Sequence, residues 1–182
     1  MPATKDEIAD RFWQHVEHYG FAKTSVGDIA GELGISKTTI YQHFASKDDI
    51  LRYVVEDAAK REVDSVEEEY ADLPTYWDRF EKLTRERVLA STRTWLDRYQ
   101  TTEARHQFEL GARVFGETYD RLVRRWAAEG AEAGEFHLVH DDVLLTARFV
   151  GSILQYAIAQ TRADRSLDID DAVVEAIRKL LV

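Results

Sequence analysis

Residues Thr24 to Lys47 read TSVGDIAGELGISKTTIYQHFASK, and this stretch decides the fold. Ser25 predicts a helix start. Its hydroxyl is placed to accept the backbone N–H of Asp28, and the Asp28 carboxylate to reach back in a capping box. Ile29, Ala30 and Leu33 give that helix one apolar face. Gly34 stands where the chain needs a residue that tolerates positive φ. Ile35 returns to the core. Ser36 then caps a second helix, Lys37 to about Phe44, anchored by Ile40 and Phe44. Its other faces carry Lys37, Thr38, Thr39, Tyr41, Gln42 and His43. A short capped helix with apolar anchors and outward donors and acceptors is what a major groove accepts.

The spacing within the unit is its specific part. Ala30 is small enough for the second helix to cross closely, Gly34 makes the sharp turn, and Ile40 fills the angle between the helices. An ordinary helical hairpin in a core needs neither this spacing nor so polar a second helix.

The segment from Ile8 to Leu51 resembles the amino-terminal domain of the TetR family of bacterial transcriptional regulators. The residues that carry the resemblance are Gly20-Phe21, Thr24-Ser25, Asp28-Ile29-Ala30, Gly34-Ile35-Ser36-Lys37, Thr39-Ile40-Tyr41, His43-Phe44 and Ser46-Lys47 through Leu51. The first helix departs from the pattern: Arg11, Phe12, Trp13 and His15 are bulkier or more polar than the alanine-rich helix usual there. The resemblance implies a homodimer that docks its third helix in the major groove of a palindromic operator, and a second domain with a pocket for a small effector. Repression relieved by that effector is the family's commonest mode. On this footing Lys37, Thr38, Thr39 and Tyr41 are the candidates for base or near-base contacts. Ser25, His43 and Lys47 are placed to hold phosphates, and Ser36 and Gln42 complete the DNA-binding set.

The bulk numbers fit. The chain has 182 residues, 45% of them hydrophobic, and only two prolines. Most of it carries helical periodicity, which predicts an all-α protein of about nine helices: a helix-turn-helix domain over 1–52 and a helical sensing and dimerisation bundle over 53–182. Cysteine is absent, which excludes disulfides and thiolate zinc sites. No apolar run is read as a membrane span and the N-terminus lacks a leader pattern, so a cytoplasmic protein without a membrane partner is expected. The net charge of −10 stands against DNA at first sight. Yet no acid lies between Leu33 and Lys47, while Lys37 and Lys47 are cationic. A local patch of this kind docks phosphates while the acidic body repels non-specific DNA. The same charge keeps one alternative open, a helical protein-interaction module that uses the fold without DNA.

Beyond the motif, Ser46 and Asp49 suggest another capping box opening a long fourth helix, with Val55, Ala59, Val63, Val66 and Tyr70 in register. The Glu67-Glu68-Glu69 run reads as a solvated face. A helix after Pro74 carries Trp77, Phe80, Thr84, Val88, Ser91, Trp95 and Tyr99 at spacings of three or four. The next pattern, Phe108 to Trp126, is interrupted by Gly111 and Gly116, which suggests two helices. Trp77, Phe80, Thr84, Trp95, Tyr99, Phe108, Phe115, Tyr119, Phe149 and Tyr156 are candidate walls for a largely apolar or aromatic effector, because large rings in a bundle leave gaps. Two final helices, about 141–161 and 168–181, are apolar on more than one side. The stripe Val143, Ala147, Gly151, Leu154 and Ile158, with Val173, Ile177 and Leu180, is the candidate dimer interface.

Two histidine pairs, His15/His18 and His137/His140, are each too few to complete a metal site, so no metal and no cofactor is expected. No nucleophile elbow, phosphate-cradling glycine loop or helix-borne metalloprotease motif is present, and no enzyme is expected.

Overall fold

The computed structural model describes residues 3–98, 102–164 and 166–182, and the side chains of 95–98 and 102–108 lie outside that description. The described chain is helical, without a strand. Its helices are α1 (Lys5–Tyr19), α2 (Val26–Glu32), α3 (Lys37–His43), α4 (Lys47–Tyr70), α5 (Tyr76–Lys82), α6 (Ala90–Arg98), α7 (Thr102–Glu132), α8 (Val143–Ala163) and α9 (Asp170–Leu181). A π-helical segment, Leu83–Leu89, joins α5 to α6, and a 3-10 turn, Val139–Asp141, precedes α8. By packing the chain forms two compact units. The first is Met1–Arg61 with Thr101–Phe115, and the second is Glu62–Gln100 with Gly116–Val182.

In the first unit a capping box starts α1. Thr4 Oγ1 accepts the Glu7 N–H at 3.2 Å and the Glu7 carboxylate accepts the Thr4 N–H at 2.8 Å. Ser25 caps α2 by accepting the Asp28 N–H at 3.2 Å, and Ser46 does the same for Asp49 at 3.1 Å. In each of these two caps the reciprocal half of the expected box is not formed among the described residues. Gly34, at φ +63°, ends α2. The Gly34 N–H donates to Gly31 O at 3.2 Å and the Ile35 N–H to Ala30 O at 2.9 Å. That pair of bonds is the Schellman closure a left-handed residue makes possible. Ile8, Phe12, Ile29, Ile40 and Ile50 are fully enclosed in the core it leaves.

The bulky first helix is accommodated by two means. Phe12 buries its ring edge-on to Phe21, centroids 6.1 Å apart. His15 and Arg11 both reach the Glu32 carboxylate, at 2.8 and 3.3 Å, which ties α1 to the end of α2. His15 is thus a buried, paired histidine.

The second unit packs Tyr70, Phe80, Leu89, Trp126, Phe136, Val150 and Ile177 into one core. Thr75 and Asp78 form the capping box of α5. In the π segment the Ala90 N–H reaches back five residues to Arg85 O. The wider winding delays the return of each face. Leu89 is therefore buried, nine residues after Phe80, while Val88 of the expected stripe is only half-buried. Helix α7 runs through Gly111 and Gly116 without a break, so the two helices expected there are one. Gly130 near its end is the floor for Phe136: a Cβ there would lie 2.4 Å from the ring.

The Glu67–Glu69 run is not simply solvated. Glu69 takes Lys82 at 2.8 Å and Arg87 at 2.5 Å, and Glu67 pairs with Arg125. Helix α8 corrects a second expectation. Over 143–163 it is long and apolar enough, by length and composition, to cross a membrane.

Candidate nucleic-acid interface and sensor unit

Helix α3 turns one side inward and offers the rest. Ile40 is fully buried and Phe44, its C-terminal cap, nearly so. Ser36 accepts the Thr39 N–H at 3.0 Å, and its hydroxyl also bonds Thr39 Oγ1 at 2.9 Å. Ser36, Lys37, Thr38, Tyr41 and Gln42 are exposed, Tyr41 to 52% despite its large ring. Thr39 and His43 are half-buried at the edges of this face. Ser25 is exposed at the start of α2.

Lys47 has a second duty that the sequence does not announce. Its ammonium donates to Phe21 O at 2.7 Å and Thr24 O at 3.2 Å, and lies 4.2 Å from the centroid of the Phe21 ring. It therefore clamps the turn that delivers Ser25. One N–H of the ammonium remains for an outside acceptor.

The expected sensor residues separate into three groups. Phe80 is core, 6.0 Å from Trp126 and 5.4 Å from Phe136 between centroids. Trp77 is half-buried, with the Arg178 guanidinium 5.7 Å from its ring. Thr84, on the π segment, is buried. Tyr119 is half-buried and donates to Glu62 Oε1 at 3.3 Å. Burial, then the Glu62 carboxylate, holds its phenol well above the usual range. The same Glu62 oxygen takes Arg87 at 3.2 Å. Phe115 is half-buried and belongs to the first packing unit. Tyr99, and the side chains of Trp95 and Phe108, lie outside the described residues.

Phe149 and Tyr156 are surface residues, exposed to 47% and 65%. They do not wall the interior of the unit. Conversely, Ala147, Val173 and Ile177 of the expected dimer stripe are enclosed in the unit's own core, and Val143, Leu154 and Leu180 pack against it. Gly151 and Ile158 are half-buried. Much of the expected interface stripe of α8 thus lies in the unit's own core, and Phe149 and Tyr156 of the expected wall lie on its surface. Periodicity marks both faces as apolar and contains nothing that says which one points inward.

Ion pairs missed by periodicity brace this unit. Arg93 makes a bidentate pair with Asp170 at 2.6 and 2.7 Å, and Arg85 reaches Asp171 at 2.8 Å. These partners are far apart in sequence, where no helical spacing connects them.

A three-helix unit with a Schellman turn and an outward polar third helix defines a helix-turn-helix protein. Residues 14–54 match the model of bacterial regulatory proteins, tetR family. Solved structures align over almost the whole chain. A TetR/AcrR-family transcriptional regulator from Thermobifida fusca is 25% identical, with 97% of this chain and 94% of that one covered at a TM-score of 0.52. The transcriptional regulator FadR from Bacillus subtilis, solved with stearoyl-CoA, is 17% identical over 96% and 97%, TM-score 0.61. RolR, solved with resorcinol, is 18% identical over 97% and 86%, TM-score 0.64. No curated protein matches the sequence. Residues 14–54 thus carry the tetR-family helix-turn-helix, and the chain shares its fold with TetR/AcrR-family transcriptional regulators.

Proposed function

We propose that this protein is a homodimeric, cytoplasmic repressor that binds a palindromic operator through α3 and is released by a small apolar or aromatic effector. Residues 1–52 bind DNA and residues 53–182 sense the effector and dimerise. The observation that carries the reading is the α3 face: Ile40 enclosed, with Thr38, Tyr41 and Gln42 all exposed. Two such faces related by a two-fold axis fit two half-sites about one helical turn apart. The test is a fluorescence titration of the protein against its own upstream DNA at about 50 and about 200 mM salt. Tight binding that weakens steeply with salt is expected. Equal, weak binding to any duplex would leave an interaction module instead.

The second copy covers the outward stripe of α8: Leu145, Phe149, Ser152 and Tyr156, at spacings of four, three and four. Exposed aromatic rings on a helix this apolar need a cover. Sedimentation of the wild type should give a dimer, and Tyr156→Arg should give a folded monomer. Flotation of the wild type with liposomes would instead assign the face to a lipid surface.

For the effector, the half-buried rings of Trp77 and Tyr119, with the buried Phe80 and Thr84, favour an apolar or aromatic body carrying few polar groups. The neighbours solved with stearoyl-CoA and resorcinol support that class. Arg93 is committed to Asp170 and Arg148 is exposed, so neither is offered to an anion inside. Tryptophan quenching with a long-chain acyl-CoA and with a dihydroxybenzene, read beside release of operator, distinguishes the two.

A further inference from the structure

Lys37 is the first residue of α3, yet its side chain turns back over the start of α2. A Cβ built on Gly27 would lie 2.7 Å from Lys37 Cε and 2.9 Å from Nζ. Ser25 Oγ would be 3.4 Å from the same point. Gly27 is thus the floor on which the end of the lysine lies, and the ammonium and the Ser25 hydroxyl both lie beside it. Ser25 Oγ accepts from the Asp28 N–H and keeps its own O–H as a donor. Among the described residues the Lys37 ammonium has no hydrogen-bond or ion-pair partner. An exposed cation lying along the start of α2, without an acceptor among the described residues, is open to an outside anion.

We propose that Gly27 is a positioning residue for DNA binding. Its missing side chain lets Lys37 dock against the first turn of α2, where the ammonium neutralises a backbone phosphate instead of extending from α3 to a base edge. This rests on the DNA-binding reading and refines it. Lys37 moves from the base-reading group to the phosphate-holding group, and sequence readout falls to Thr38, Tyr41 and Gln42. The two roles are separable in solution. A phosphate contact fixes register and releases a counterion, whereas a base contact discriminates at one position.

The experiment starts with a duplex that the wild-type protein selects from a random-sequence library. Affinities are then measured across a salt series for Gly27→Ala, Lys37→Ala and the double variant, on that duplex and on single-base-pair variants of it. Lys37→Ala should weaken all duplexes alike, about tenfold at low salt, and flatten the salt dependence by about one unit of slope per protomer. Gly27→Ala should change both in the same direction, because its methyl displaces the lysine end. The double variant should be no weaker than Lys37→Ala. Thermal melting of Gly27→Ala should match the wild type, since the displaced atoms end a flexible chain.

Three results overturn the proposal while leaving DNA binding intact. They are a Gly27→Ala protein with wild-type affinity and slope, a Lys37→Ala effect confined to one base pair, and a Gly27→Ala melt far below the wild type. A wild type that enriches no duplex would remove the DNA reading and this inference with it.

Discussion

Gly27 and Gly130 both lack room for a methyl group, but for opposite reasons. At Gly130 the obstacle is the Phe136 ring, at 2.4 and 2.5 Å from a built Cβ, itself wedged edge-on against Phe80. At Gly27 it is the end of one lysine. The first close approach is between two parts of a filled core. The second leaves a charged group facing outward. The same difference holds for the two regions at large. Around the π segment, Arg85, Arg87 and Arg93 all find carboxylates within the unit. On α3, Thr38, Tyr41 and Gln42 are exposed and Lys37 is unpaired. One region answers its own polar groups, and the other leaves them exposed.

The largest test of this contrast is Gly130→Ala. Helix propensity favours alanine, but the ring cannot yield, so a net loss of about 1–3 kcal/mol is expected. A chemical-denaturation midpoint equal to the wild type would show that Phe136 is not a fixed wall. Tyr41→Ala should cost about 1–3 kcal/mol in operator affinity with little change in melting temperature. A large melting shift would make Tyr41 part of the fold and erase the distinction between the regions. Glu32→Ala should destabilise the protein by about 1 kcal/mol, because it leaves His15 buried without its partner. If the variant melts as the wild type does, the tie between α1 and α2 is decoration.

The smallest effect concerns acid. A hydrogen bond from Lys82, with the charges of Lys82 and Arg87, holds the Glu69 carboxyl below its ordinary value of 4.5. A carboxyl depressed on folding contributes stability that is fully present above its unfolded pKa and is lost as pH falls through the folded one. Glu69→Gln should therefore narrow the gap in melting temperature between neutral pH and about pH 3. An unchanged gap would mean that the exposed pair is screened out.

The amino-terminal unit was legible because each step of it is local. Ser25, Gly34 and Ser36 act on neighbours within six residues, and their spacing states what they do. The same locality misleads where helices meet. Val88 and Leu89 differ by one residue, and only the π winding decides which of them is buried. Ala147 and Phe149 are both apolar, and the partner helix, not the pattern, sets which faces inward. Lys47 reads as a free cation until the carbonyls of Phe21 and Thr24 arrive from across the unit. The arginine pairs to Asp170 and Asp171 span more than seventy residues, and no periodicity reaches that far.

The π segment has one more consequence, for chain length. Removing a residue from a regular helix turns everything after it by about 100°. Within Leu83–Leu89 the chain already carries surplus, with Phe80 and Leu89 facing the same core nine residues apart. Deleting Val88 would leave them eight apart, a spacing that an ordinary helix accommodates on one broad apolar face. Arg93 would then still meet Asp170. This stretch should accept a one-residue deletion that any neighbouring helix would refuse, and it marks where the length of the second unit can drift while its core stays in register.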